Sequence, residues 1–185
     1  MKRYAFTLLE LVFVIIVIGI LAVVAMPNFK GNPLQTAAEQ VATHIRYTQH
    51  LAMVDDKFDP ANGTWFQGKW AIDLCQPAYT ISTLNGTMTA TDPLTKTDIN
   101  GTAVEDFNLA DQFSITGIAV AGGNCRIAFD NMGRPYGFTA AGLPATAYDG
   151  ILNADTVITL RHTDGNATIT VVDETGYVSV AYTTP

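Results

Sequence analysis

Glu10 is the residue whose chemistry most needs an explanation. It stands in a stretch from Phe6 to Met26 whose only other polar side chain is Thr7. A carboxylate at the centre of a membrane helix costs roughly 2.5–3.5 kcal/mol, and less near a helix end. Such a group calls for a cationic partner. The basic pentapeptide Met1-Lys2-Arg3-Tyr4-Ala5 precedes the stretch. Cleavage between Ala5 and Phe6 would turn Phe6 into a charged amino terminus, and the new amine and the Glu10 acid would then share one helix. The competing reading is that Glu10 bends its carboxylate towards water.

The other reactive side chains are few. Cys75 and Cys125 both fall in the part of the chain expected to be exported, an oxidising compartment, and are expected to form a disulfide there; two buried free thiols are the alternative. His44 and His50 are six residues apart, so they miss the i, i+4 spacing of helical zinc ligands, and His162 stands alone. These three suggest packing or surface roles. Asp55, Asp56 and Asp59 form one oxygen-rich loop, and Asp149, Asn153 and Asp155 another. Neither has the spacing of an EF-hand, and turn chemistry accounts for both. There is no Gly-x-Ser-x-Gly elbow, phosphate loop or catalytic carboxylate pair, so no catalytic residue, cofactor or metal is expected. Trp65, Phe66 and Trp70 read as a core cluster, with an exposed contact patch as the alternative.

The elements that must position these groups begin with the apolar stretch itself. As a helix, its 21 residues would span about 31 Å, matching a bilayer core of about 30 Å. It is too long for the apolar region of a secretory signal. Lys2 and Arg3 lie before it, which predicts a cytoplasmic amino terminus, a single pass through the inner membrane and an exported remainder. From Lys30 onward there are 8 basic and 16 acidic residues, against a whole-chain net charge of −7. So acidic a domain lacks the basic face that phosphate contacts need, which argues against nucleic acid as a partner.

Pro27 falls after the apolar run, where it would kink or loosen the helix. Asn32 and Pro33 read as the cap and first turn of a resumed helix over 33–54. Leu34, Ala38, Val41, Ile45, Thr48 and Ala52 repeat at alternating spacings of four and three, giving one apolar stripe. Strands are expected at Trp70–Leu74, Tyr79–Leu84, Phe113–Val120, Cys125–Phe129, Thr156–His162 and Ala167–Val172, continuing over Tyr177–Tyr182. Residues 85–111 read as a long variable loop. The fold class is therefore α+β: a long amino-terminal helix, half transmembrane and half amphipathic, packed on a mainly antiparallel β-sheet. Three regions follow: a leader over 1–5, a membrane helix over 6–29 and an exported domain over 30–185.

The leader, the Phe6-Thr7-Leu8-Leu9-Glu10-Leu11 start, the apolar run and Pro27 together resemble the type IV pilin superfamily. The resemblance implies a pilin-like fold, removal of the leader by a prepilin peptidase, methylation of Phe6, and an assembly role for Glu10 and Pro27. The family's usual glycine before the cut is Ala5 here. Arg126-Ile127-Ala128-Phe129-Asp130-Asn131-Met132-Gly133-Arg134-Pro135 and the later strands resemble the GspH/FimT-like minor pseudopilins. That likeness implies a structural subunit of a type II secretion pseudopilus, whose partners are other pseudopilins or pilins and an inner-membrane assembly platform. A minor pilin of a type IV pilus, working in adhesion or DNA uptake, is one alternative. A single-span membrane protein that never polymerises is another. The chain's carboxyl-terminal end lacks the arginines through which some FimT-like relatives bind DNA.

Overall fold

A computed structural model describes residues 7–25 and 32–183. The chain divides into two compact units at Asn32/Pro33. Ala5, Phe6 and Pro27, named above for processing and assembly, lie outside the described residues.

The first unit contributes α1, Leu8–Ala25. Its 18 residues correspond to about 27 Å of helix, and Phe6 and Met26, the two ends of the apolar run, lie outside the described residues. No helix among the described residues is long and apolar enough to cross a membrane. The expectation of one long amino-terminal helix is therefore corrected. Asn32 is not helical, and α2, Pro33–Val54, opens afresh at Pro33. Proline has no N–H to give to a preceding turn and suits the first position of a new helix.

The second unit is built around α2. The predicted stripe Leu34, Ala38, Val41, Ile45, Thr48 and Ala52 is buried, joined by Ala37, Ala42 and His44. The alanines keep this face thin. Thr48 holds its hydroxyl inside by donating it to the His44 carbonyl, 2.8 Å away.

The single sheet is corrected to two, each four-stranded and antiparallel. The first runs β2-β1-β4-β5, from β1 (Trp70–Asp73), β2 (Thr80–Thr83), β4 (Arg126–Phe129) and β5 (Pro135–Phe138). The second runs β3-β6-β7-β8, from β3 (Gly117–Val120), β6 (Thr156–His162), β7 (Gly165–Val171) and β8 (Val178–Thr183). Alternate residues Ile158 and Leu160 of β6, and Ala167, Ile169 and Val171 of β7, join Ile72, Ile127 and Phe129 of the first sheet in one core with α2. The outer face of the first sheet forms a second core from Ala71, Leu84, Ala128, Tyr136 and Phe138. Segment 139–150 lies over it, tied by Arg126 to Gly142 O and by Lys69 to Ala147 O.

Residues 85–111 are not a free loop. They zip to β2 and to themselves through bridges Ser82–Thr89, Thr91–Asp98 and Thr80–Asn100. Ala90, Ile99, Phe107 and Leu109 are buried in the main core. The start of the expected strand from Phe113 is instead the end of a short helix α3, Leu109–Phe113, capped by the Asn108 side-chain Oδ1, which accepts from Ala110 N.

His44 marks where α2 meets this segment. Its Nδ1 lies against the Tyr79 hydroxyl, which also accepts from Gln40 Nε2 at 2.9 Å, while its Nε2 faces Asp92 at 3.9 Å. Burial lowers the His44 pKa below its ordinary value, with Asp92 offsetting part of the effect. The unfolded chain thus takes up this proton first. The His44 contribution is complete above about pH 6.5 and is lost as pH falls from there through the lowered folded value. His44→Leu should flatten the fall in urea midpoint between about pH 7 and pH 5. An unchanged difference between the two midpoints would exclude His44 as its source.

Candidate functional site

The first candidate is α1. Every side chain described along it, from Leu8 to Ala22, is exposed, so its leucines, isoleucines and valines are bare on all sides. A monomer seldom leaves so much contiguous apolar surface without a partner to cover it. Thr7 stands at its amino-terminal cap. The Thr7 hydroxyl accepts the Glu10 N–H at 3.3 Å, and the Thr7 carbonyl starts the helical ladder through Glu10 N and Leu11 N. Thr7-x-x-Glu10 is the spacing of a capping box, and an acid in the first turn also suits the positive end of the helix dipole. Glu10 therefore has a local structural role beside any intermolecular one.

The second is the cystine. Cys75 and Cys125 are bonded, with Cα atoms 4.8 Å apart. Cys75 follows β1 and Cys125 precedes β4, and Leu74 N donates to Cys125 O at 2.9 Å. The Asp73 carboxylate lies near both sulfurs and faces Arg126 at 3.6 Å. These three residues have the donor types of a metal site, but sulfurs bonded to each other are not thiolate ligands.

The third was not foreseen. Lys69 and Asp130 are buried, 4% and 8% exposed. Asp130 accepts from Met132 N, Arg134 N and Arg134 Nε, each at 2.9 Å, and from the Tyr136 hydroxyl at 3.3 Å. It thereby organises the turn between β4 and β5. The Lys69 ammonium sits 3.5 Å from the centre of the Tyr136 ring and donates to Ala147 O at 2.7 Å. Burial pulls the Lys69 pKa down to about 8, against the pull of Asp130. Burial, with Asp130 alongside, pushes the Tyr136 phenol up to about 12. The Asp130-Asn131-Met132-Gly133 turn carries its own sequence signal; the Lys69 ammonium near it carries none.

Gln49 joins this turn to α2. Its amide donates to Gly133 O at 2.9 Å and to Thr175 O at 3.0 Å, holding the β4–β5 and β7–β8 turns against the helix. Gly133 and Gly176 have φ of +80° and +65°, and a Cβ on Gly176 would approach the Gly133 carbonyl to 2.6 Å. Both positions demand glycine.

The acidic loops use their oxygens internally. Asp56 accepts from Phe58 N, Asp59 from Ala61 N, and Asp149 from Ala145 N and Thr146 N. Asp55 accepts from the Trp70 indole and pairs with Lys57, which holds its carboxyl below the usual range. Of the aromatic cluster, Phe66 and Trp70 are buried and Trp65 is half-buried. His50 is exposed, and the His162 ring accepts from Asp164 N.

No known protein family matches the chain, and no curated protein and no solved structure matches it.

Proposed function

We propose that this chain is a structural subunit of a pilus-like filament, a minor pseudopilin of type II secretion, rather than an enzyme. The observation that carries the proposal is α1: an aliphatic helix bare on every described side, with an acid in its first turn. In a filament, such helices cover one another. The Glu10 carboxylate pairs with the amino terminus of a neighbouring subunit, created by cleavage between Ala5 and Phe6. In apolar surroundings that pair fixes one axial offset, because other offsets leave a charge without a partner. The second unit's cystine suits an exported position, since disulfides persist in the periplasm and not in a reducing cytoplasm. The leader and the Phe6–Leu11 start support prepilin peptidase as the processing enzyme, and an inner-membrane platform as the assembler.

Mass spectrometry of the protein's amino terminus tests the processing step. The expected mature chain begins at Phe6 and carries an N-methyl group. A chain that retains Met1 in cells with an active peptidase would remove the basis of assembly.

A further inference from the structure

Beside Lys69 and Asp130 lies a cleft of about 190 Å³ on the surface of the second unit. Four aromatic rings line it. Tyr136 is one, and Phe58 and Trp65 stand together edge to face, 5.2 Å apart. Tyr148 is the fourth. Phe58 is 59% and Tyr148 71% exposed. Rings this open do little for the core, whereas a ligand could cover their faces.

Polar groups share the lining. Asn131 gives its amide N–H to Asp56 at 3.2 Å, which leaves its carbonyl oxygen to accept. Arg134 spends Nε on Asp130, and its terminal nitrogens make no hydrogen bond among the described residues. One Lys69 hydrogen is committed to Ala147 O, out of three on the ammonium.

Charge narrows the ligand class. Lys69 and Arg134 oppose a cation. Asp130 in the lining and the Asp149 carboxylate, which acts on Lys69, oppose an anion. Asp55 and Asp56 flank the adjoining hollow. What fits is neutral, with one apolar face to lie on a ring and hydroxyl groups at its edge to meet Asn131, Arg134 and the Tyr148 phenol. The volume admits one six-membered ring and falls short of the roughly 300 Å³ at which drug-sized pockets begin.

We propose that this cleft binds a single neutral pyranose unit. This is independent of the filament reading and of α1.

The test uses the full chain in a zwitterionic detergent, so that no sugar headgroup competes. Methyl β-glucoside, methyl β-galactoside and methyl N-acetyl-β-glucosaminide are titrated to about 100 mM, far above a Kd in the millimolar range expected for one small ligand. Saturation-transfer NMR reads the contact. At least one glycoside should give a saturable signal. Tyr148→Ala and Trp65→Ala should each weaken it roughly tenfold. Tyr148 is exposed, so its variant keeps the fold and carries the test even if Trp65→Ala unfolds. Saturable binding of glucuronate or choline in preference to the glycosides would overturn the charge argument. No saturable signal with any glycoside, or one unchanged in Tyr148→Ala, would overturn the site.

Discussion

Cys75→Ser combined with Cys125→Ser should cost about 4 kcal/mol of folding stability, the largest loss expected from any change in the second unit outside its core. The cystine closes a loop of 50 residues. That loop contains β2, the bridged segment 85–111, α3 and β3, and so reaches from the first sheet into the second. Without the cross-link, the unfolded chain regains the freedom of this whole loop. The folded state changes little, because the β1–β4 ladder already pairs Asp73 with Arg126 and Leu74 N with Cys125 O. For a chain of this size the loss corresponds to roughly 8–16 °C in melting temperature. Calorimetry of the double variant, and of the native protein with a reductant, should give the same decrement. A loss below about 1 kcal/mol would show that the ordered ends hold the loop without help.

How much of this was legible depended on how local the signal was. The α2 stripe could be read directly, since a four-three repeat exposes one helical face and every predicted stripe residue is buried. The β6, β7 and β8 hairpins were equally plain, because the turn sequences Thr163-Asp164-Gly165-Asn166 and Asp173-Glu174-Thr175-Gly176 separate runs of alternating residues. The split into two sheets was not. Strands of either sheet carry the same alternation, and only their pairing tells them apart. Segment 85–111 was misread because its buried residues come singly: Ala90, Ile99 and Phe107 each stand among Thr, Asp and Asn. No period results, and the core reveals them only after folding. The approach of Lys69 to Asp130 was illegible for a similar reason, since it depends on β1 pairing with β4. The new start at Pro33 was legible from Asn32 and Pro33, whereas the apolar half was read as longer than α1, Leu8–Ala25. Thr7-x-x-Glu10 was a local signal that was present and overlooked.

Glu10 has two roles to separate, capping α1 and pairing with a neighbour's amino terminus. Glutamine serves as well as glutamate at the third position of a capping box. Glu10→Gln therefore keeps α1 intact and removes only the charge. In the proposed filament it leaves an incoming amine unpaired in apolar surroundings, and breaking one side of such a pair costs about 3–5 kcal/mol. Each 1.4 kcal/mol is tenfold, so incorporation should fall about a hundredfold or more. The capping role alone predicts no such loss.

The direct measurement is a competition between the two forms. Native and Glu10→Gln chains, differently tagged and expressed at equal levels in one strain, are quantified in filaments sheared from the cells. The account predicts that the native form fills the filaments and the variant stays in the unassembled pool. Equal recovery of the two forms from the filaments would contradict it.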